Sequence, residues 1–214
     1  MADLVLKNGK LVTPGGVLDA GVAVEGETII AVASDGQLPP AAREIDCGGN
    51  FIFPGVFDPH VHLGGRTPYE DNVITETQSA AAGGVTSFLQ YARSPDDDFQ
   101  VIADRIEFAR QRSLVDTAFH FIVSGLDQAK AIAEVSNRFG IKTFKFYMGG
   151  YSPGNPIGIV TADDGVLYSG MERIRHLGDF AFCMVHAEDH AMVELFTEEV
   201  KKSGRQDLRA GEEC

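Results

Sequence analysis

The hydrophobic positions follow two different rhythms along the chain. Over residues 4–12 and 22–32 they form short runs rich in Val, Ile and Leu, interrupted at Asn8-Gly9, Pro14-Gly15-Gly16 and Glu25-Gly26. Short β-branched runs broken by turn residues predict strands, so residues 1–50 are expected to form a small β-sandwich portion. Pro39-Pro40 and Cys47-Gly48-Gly49-Asn50 close that pattern. From residue 51 onward, apolar runs at 51–57, 85–91, 116–122, 143–148 and 181–185 read as strands. Between them, 70–82, 96–112, 127–139 and 163–177 carry the 3.6-residue spacing of helices, with Gly83-Gly84, Gly140 and Gly178 as stops. Alternating β and α elements imply parallel strands joined by right-handed crossovers. The expected class is therefore α/β, with residues 51–214 forming a (β/α)8, TIM-like barrel. A complete barrel takes about 250 residues, so this stretch holds about five βα units and the barrel is incomplete, ending some five-eighths of the way round.

Composition changes this picture little, but charge narrows the partners. With 44% hydrophobic and 23% charged residues, the chain has ordinary globular content and can bury a core. A net charge of -13 argues against nucleic acid and against an anionic membrane surface, both of which need a basic face. Cys47, Cys183 and Cys214 are too far apart in sequence to make a disulfide framework or a CxxC knuckle, which fits a reducing cytoplasm. The N-terminus has no basic leader, and no apolar run approaches the ~18 residues of a membrane span. A soluble cytoplasmic protein is expected.

Three segments carry candidate chemistry. Pro54-Gly55-Val56-Phe57-Asp58-Pro59-His60-Val61-His62 places two histidines two apart at the end of an apolar strand. Period-two spacing turns both rings the same way, and neutral imidazoles are good zinc ligands. An isolated pair of this kind is more often just polar, but barrel enzymes keep their sites at strand C-termini. Thr143-Phe144-Lys145-Phe146-Tyr147-Met148 puts a lysine inside a strand. Burial would lower its pKa, and a neutral amine can add CO2 to become a carbamate able to bridge two cations, although most strand lysines snorkel to solvent. Met184-Val185-His186-Ala187-Glu188-Asp189 again ends an apolar run with a histidine. Each signal alone is weak; together, His60, His62, Lys145 and His186 would be expected to converge on one face of one barrel. His120, between Phe119 and Phe121, is expected to support the core. His176 and His190 are expected on helix surfaces, and Asp96-Asp97-Asp98 at a helix start. There is no GxGxxG, Walker loop or GxSxG, so nucleotide binding and serine hydrolysis have no support.

These segments, with Asp3-Leu4-Val5-Leu6-Lys7-Asn8-Gly9, Ile45-Asp46-Cys47-Gly48-Gly49-Asn50 and Ala80-Ala81-Ala82-Gly83-Gly84-Val85-Thr86-Ser87, give nearly the whole chain a resemblance to the cyclic amidohydrolases: D-hydantoinase, dihydropyrimidinase, allantoinase and dihydroorotase. The resemblance implies a homo-oligomeric hydrolase that opens a small cyclic amide or ureide, such as hydantoin or a dihydropyrimidine, with a metal-bound hydroxide. It implies two Zn²⁺ ions (or another divalent metal), with His60 and His62 on the more buried ion, carbamylated Lys145 as the bridge and His186 on the more exposed ion. It also implies a further histidine after a sixth strand and a catalytic aspartate after an eighth, neither of which is expected within this chain. Two places depart from the family pattern. Dihydroorotases have arginine directly after the HxHL segment, whereas Leu63 here precedes Gly64-Gly65, with Arg66 two places late. Hydantoinases place an oxyanion-stabilising tyrosine five residues after the lysine, whereas Gly150 stands there and Tyr151 follows as the candidate. The rival reading is a non-catalytic scaffold or oligomerisation protein of the same fold; metal content and ring hydrolysis separate the two. A third, an α/β binding domain with accidental histidines, predicts neither metal nor a modified lysine.

Overall fold

The structure, a computed structural model, describes residues 1–65, 67–93, 99–149, 160–207 and 209–210. Arg66, Asp96-Asp97-Asp98 and Tyr151 lie outside the described residues. The chain forms two compact units, Met1–Gly55 and Val56–Cys214.

The first unit is all β: β1 (Ala2–Lys7), β2 (Lys10–Thr13), β3 (Gly16–Asp19), β4 (Gly21–Glu25), β5 (Thr28–Ala33), β6 (Ala41–Asp46) and β7 (Phe51–Ile52). They make a four-stranded sheet in the order β5-β4-β1-β6 and a three-stranded sheet in the order β3-β2-β7. The run over 4–12 is split where Asn8 takes a left-handed φ of 53°, a conformation asparagine tolerates. The Asn8 backbone N–H donates to Asp35 Oδ2 at 2.9 Å and its side chain to Asp46 Oδ1 at 2.9 Å, so the turn that separates the two sheets is held by hydrogen bonds. Strand β6, which pairs in parallel with β1, was not legible in the pattern, because Arg43, Glu44 and Asp46 dilute its apolar positions.

The second unit is the expected βα succession: β8 (Val56–Val61), α1 (Tyr69–Ala82), β9 (Val85–Ala92), α2 (Gln100–Arg112), β10 (Asp116–Ile122), α3 (Leu126–Lys130), α4 (Ile132–Phe139), β11 (Thr143–Tyr147), α5 (Asp164–Ile174), β12 (Phe182–His186) and α6 (His190–Ser203). The strands pair in parallel in the order β12-β11-β10-β9-β8, which is strict sequence order, the topology of a barrel arc.

Three elements differ from the pattern-based expectation. The strand over 51–57 is two strands: Phe51–Ile52 pairs with β2 in the first unit, and Val56–Val61 opens the parallel sheet. Pro54, which has no N–H to give a ladder, sits at the break. The helix over 127–139 is interrupted at Ala131, and α4 ends as expected on left-handed Gly140 with φ 70°. Helix α6, which buries no residue, was expected only as a helix surface at His190; its extent to Ser203 was not foreseen.

Side chains alternate across the parallel sheet. Phe119 and Phe121 of β10 and Phe144 and Phe146 of β11 face the helices, packing with Ile102, Ala129, Ile132, Val135, Val166 and Ile174 in the main core. The alternate positions His120, Ile122, Lys145 and Tyr147 therefore point to the opposite face, where Tyr91, Ile122, Tyr147 and Met184 make a smaller apolar cluster. The helix layer leaves no slack. A methyl group added at Gly170 of α5 would stand 2.3 Å from Phe146 Cζ, and Phe146 is fully buried. Gly170→Ala is expected to lower stability: overpacking costs about 1–3 kcal/mol, against a helix-propensity gain of about 1 kcal/mol. Urea midpoints of the two proteins measure the difference, and an unchanged or raised midpoint would contradict this packing.

Candidate metal centre

The inner face of the parallel sheet gathers the sequence-derived candidates row by row. Parallel registers set Tyr91 beside His120, Ile122 beside Lys145, Lys145 beside Met184, and Tyr147 beside His186. His60 is the penultimate residue of β8 and His62 follows its end. Their Nε2 atoms lie 3.1 Å apart, so both rings turn the same way, as period-two spacing requires. Two nitrogens of a tetrahedral zinc site with ligand distances of roughly 2.0–2.1 Å are separated by about 3.3 Å. The observed pair is close to that edge.

Burial is the main influence on the protonation of Lys145 and His62. Burial holds Lys145 below the ordinary lysine value; the residue is only 7% exposed. Its Nζ sits 4.9 Å from the Tyr147 ring centroid and 5.9 Å from that of Tyr91, between two π faces. Burial, and then the positive charges of His60 and Lys145, lower the pKa of His62. An imidazole must be neutral to bind a metal, so these shifts favour ligation.

His186 ends β12, with its ring centroid 5.6 Å from that of Tyr147. Its Nε2 lies 2.9 Å from Glu188 Oε2. Gly149, just beyond β11, makes room for this turn, since a Cβ there would lie 2.5 Å from the Glu188 carbonyl oxygen. His60 and His62 are thus in direct contact, Lys145 is in their electrostatic reach, and His186 lies across Tyr147 from Lys145.

His120 plays the supporting part expected of it. Its Nε2 lies 2.9 Å from the Pro59 carbonyl oxygen, which can only accept, so Nε2 carries the proton; Nδ1 then accepts from Thr143 Oγ1 at 2.6 Å. Burial lowers its pKa, with the Pro59 carbonyl acting in the opposite direction. The neutral ring ties β10 to the residue preceding His60.

No protein-family model matches the chain. It is 34% identical to an allantoinase of Solibacter usitatus over 98% of this chain and 45% of that protein, and 29% identical to a D-hydantoinase of Geobacillus stearothermophilus over 95% of this chain and 43% of that one. Its fold matches the L-hydantoinase (dihydropyrimidinase) of Arthrobacter aurescens with a TM-score of 0.86 at 26% identity, covering 100% of this chain and 47% of that one. The chain belongs to the cyclic amidohydrolase family. The dihydropyrimidinase of Brevibacillus agri NCHU1002 matches with a TM-score of 0.80 at 32% identity, over 97% of this chain and 44% of that one. This cyclic amidohydrolase chain spans about 45% of the length of the curated relatives it matches, and its parallel sheet is an incomplete barrel.

As a test of fit to a metal, the described residues hold no group of three or more His, Cys, Asp or Glu side chains placed to bind an ion. The donors present are the His60–His62 pair and, beside them, a lysine that becomes an anionic oxygen donor only after CO2 addition. That set fits a metal position completed by a modified lysine.

Sequence reasoning missed Tyr91. Its ring is stacked on His62 (4.6 Å between centroids, 13° between planes) and touches His60 and His120 at 4.7 and 4.8 Å. The one available signal was its place near the end of β9, in the row of the strand-end histidines. A cavity of about 750 Å³, lined among others by Thr86, Asp116, Lys142 and Thr143, opens near the strand starts and contains none of the four proposed ligands.

Proposed function

We propose that these residues supply the first metal position of a metal-dependent hydrolase acting on the amide bond of a small cyclic amide or ureide, such as hydantoin, a dihydropyrimidine or allantoin. The observation that carries this reading is the 3.1 Å approach of the His60 and His62 Nε2 atoms beside a buried lysine. Metal assembly is proposed for this chain; ring hydrolysis is proposed for a complete family protein.

His60 and His62 would hold one divalent ion, for which zinc suits the nitrogen ligands. Lys145, its amine made available by burial, would capture CO2 and bridge to a second ion held by His186. If His186 binds through Nδ1, the Glu188 carboxylate on Nε2 orients the ring, a common partnership behind metal-bound histidines. When bound, the metal pair supplies an activated water and a Lewis acid for the ring carbonyl. Tyr151 is proposed to donate its hydroxyl to the oxygen that gains charge during attack. A small neutral or weakly polar substrate, with no nucleic acid or membrane partner, agrees with the net charge of -13, and among the described residues no helix is long and apolar enough to cross a membrane. The reading further includes a cytoplasmic location and a homo-oligomeric assembly.

Metal content of the purified chain, reconstituted with zinc and bicarbonate, tests the proposal. Zinc is expected on the wild type. His60→Ala and His62→Ala are each expected to weaken binding by more than about 100-fold, beyond the 10–100-fold typical of residues behind a ligand. A folded wild-type chain that takes up no zinc would overturn it and favour the scaffold reading.

A further inference from the structure

We infer that Tyr91, with Met184 behind it, is a positioning device that sets the tautomer of His60 and so leaves the His60 Nε2 lone pair free toward His62. Tyr91 Oη lies 3.2 Å from His60 Nδ1 and 3.7 Å from Met184 Sδ. A thioether sulfur has no proton to give, so in the Tyr91–Met184 contact the phenol must donate. With its one proton directed to Sδ, the phenol oxygen faces His60 with lone pairs only, and it is satisfied when Nδ1 carries the proton. In neutral imidazole a proton on Nδ1 removes it from Nε2. The chain His60 Nδ1–H to Tyr91 Oη–H to Met184 Sδ therefore runs in one direction and presents Nε2 as an acceptor on the side where His62 Nε2 stands at 3.1 Å.

The ring that does this is tightly placed. Tyr91 is 4% exposed, stacked on His62, tilted against His60 and His120, and packed with Ile122, Tyr147 and Met184. A displaced phenol would have to leave all of these at once. The two ligand histidines are thus served by different supports: His120 holds the Pro59 carbonyl ahead of His60, and Tyr91 orients the ring of His60 itself. Tyr91 neither touches a substrate in this scheme nor binds the metal.

The tautomer assignment stands without any metal, while its purpose rests on the metal reading above. ¹⁵N spectra of the histidine rings in the full chain, metal-free and at mildly alkaline pH, report the tautomer of His60 directly; zinc titration of the same samples reports its consequence. In the wild type His60 is expected in the Nδ1–H form. In Met184→Leu, where the phenol loses its sulfur acceptor and can turn its proton to Nδ1, the Nε2–H population is expected to rise. In Tyr91→Phe the bias is expected to disappear while the stacked ring stays. Zinc affinity is expected to fall about 10- to 100-fold in both variants, with urea midpoints of Tyr91→Phe near wild type to separate this from general unfolding. A wild-type His60 protonated on Nε2, or a tautomer unmoved in both variants, would overturn the inference. If one variant fails to fold, the other decides. A wild type that binds no zinc but shifts its His60 tautomer in the variants would sink the metal reading and leave the Tyr91 assignment standing.

Discussion

Lys145→Met is expected to stabilise the metal-free protein at neutral pH and at the same time to abolish bicarbonate-dependent binding of a second metal ion. The two effects have one cause. Lys145 is buried with its ammonium between aromatic rings, and desolvation lowers its folded-state pKa below the ordinary 10.5. The unfolded chain therefore binds the lysine proton more tightly than the folded one. The resulting penalty on the fold is complete below the folded-state pKa and disappears as the pH rises through that value toward 10.5. Methionine, of similar length and apolar, carries no such penalty. Its advantage in urea unfolding should be largest near neutrality and fade in alkali. The same substitution removes the amine proposed to accept CO2 beside the histidine pair, so the metal stoichiometry should fall while the His60–His62 position persists with reduced affinity. A methionine variant that is less stable than wild type at neutral pH, or that retains two bicarbonate-dependent metals, would show that Lys145 is neither an uncompensated cation nor a bridge.

Phe121→Ala is expected to cost about 3–5 kcal/mol, the usual range for deleting a fully buried aromatic ring. Phe121 is 0% exposed and meets Phe99 and Phe144 edge to face, with centroids 5.9 and 6.4 Å away. These contacts join β10 to its neighbouring strand β11 and to the residue that opens α2, so the void left by alanine cannot collapse without moving several elements. Against a typical domain stability of about 5–15 kcal/mol, that loss is expected to unfold a sizeable fraction of the protein under mild denaturation. Phe180→Ala provides the contrast: that ring is 89% exposed, and the change should stay within about 0.5 kcal/mol. Parallel urea titrations read both, and similar losses at the two positions would contradict the assigned core.

The residues that recognition rests on are local in sequence, and so they were legible. The spacing of His60 and His62 sends both rings to one side of a strand in any sheet, and the alternation of β and α elements requires parallel pairing whatever the loops do. Gly140 ends α4 because a left-handed residue is needed there, a demand that a single position can meet. The same local logic located Lys145 and His186 at strand positions facing one way, since β11 and β12 have the same period of two.

Tertiary structure decided what depends on partners far away in the chain. Residues 51–57 form one apolar run, but Phe51–Ile52 finds its partner in β2 and Val56–Val61 in β9; no local pattern encodes that choice. Tyr91 reads as an ordinary strand aromatic until the register of β8, β9 and β10 brings His60, His62 and His120 around it. His120 has no sign of its tautomer in its neighbours Phe119 and Phe121; the carbonyl of Pro59, sixty-one residues earlier, assigns it. Spacing determines which way a side chain points because the backbone period is fixed by covalent geometry. Which groups it meets there depends on strand order and register, and these are set only when the whole sheet packs against its helices.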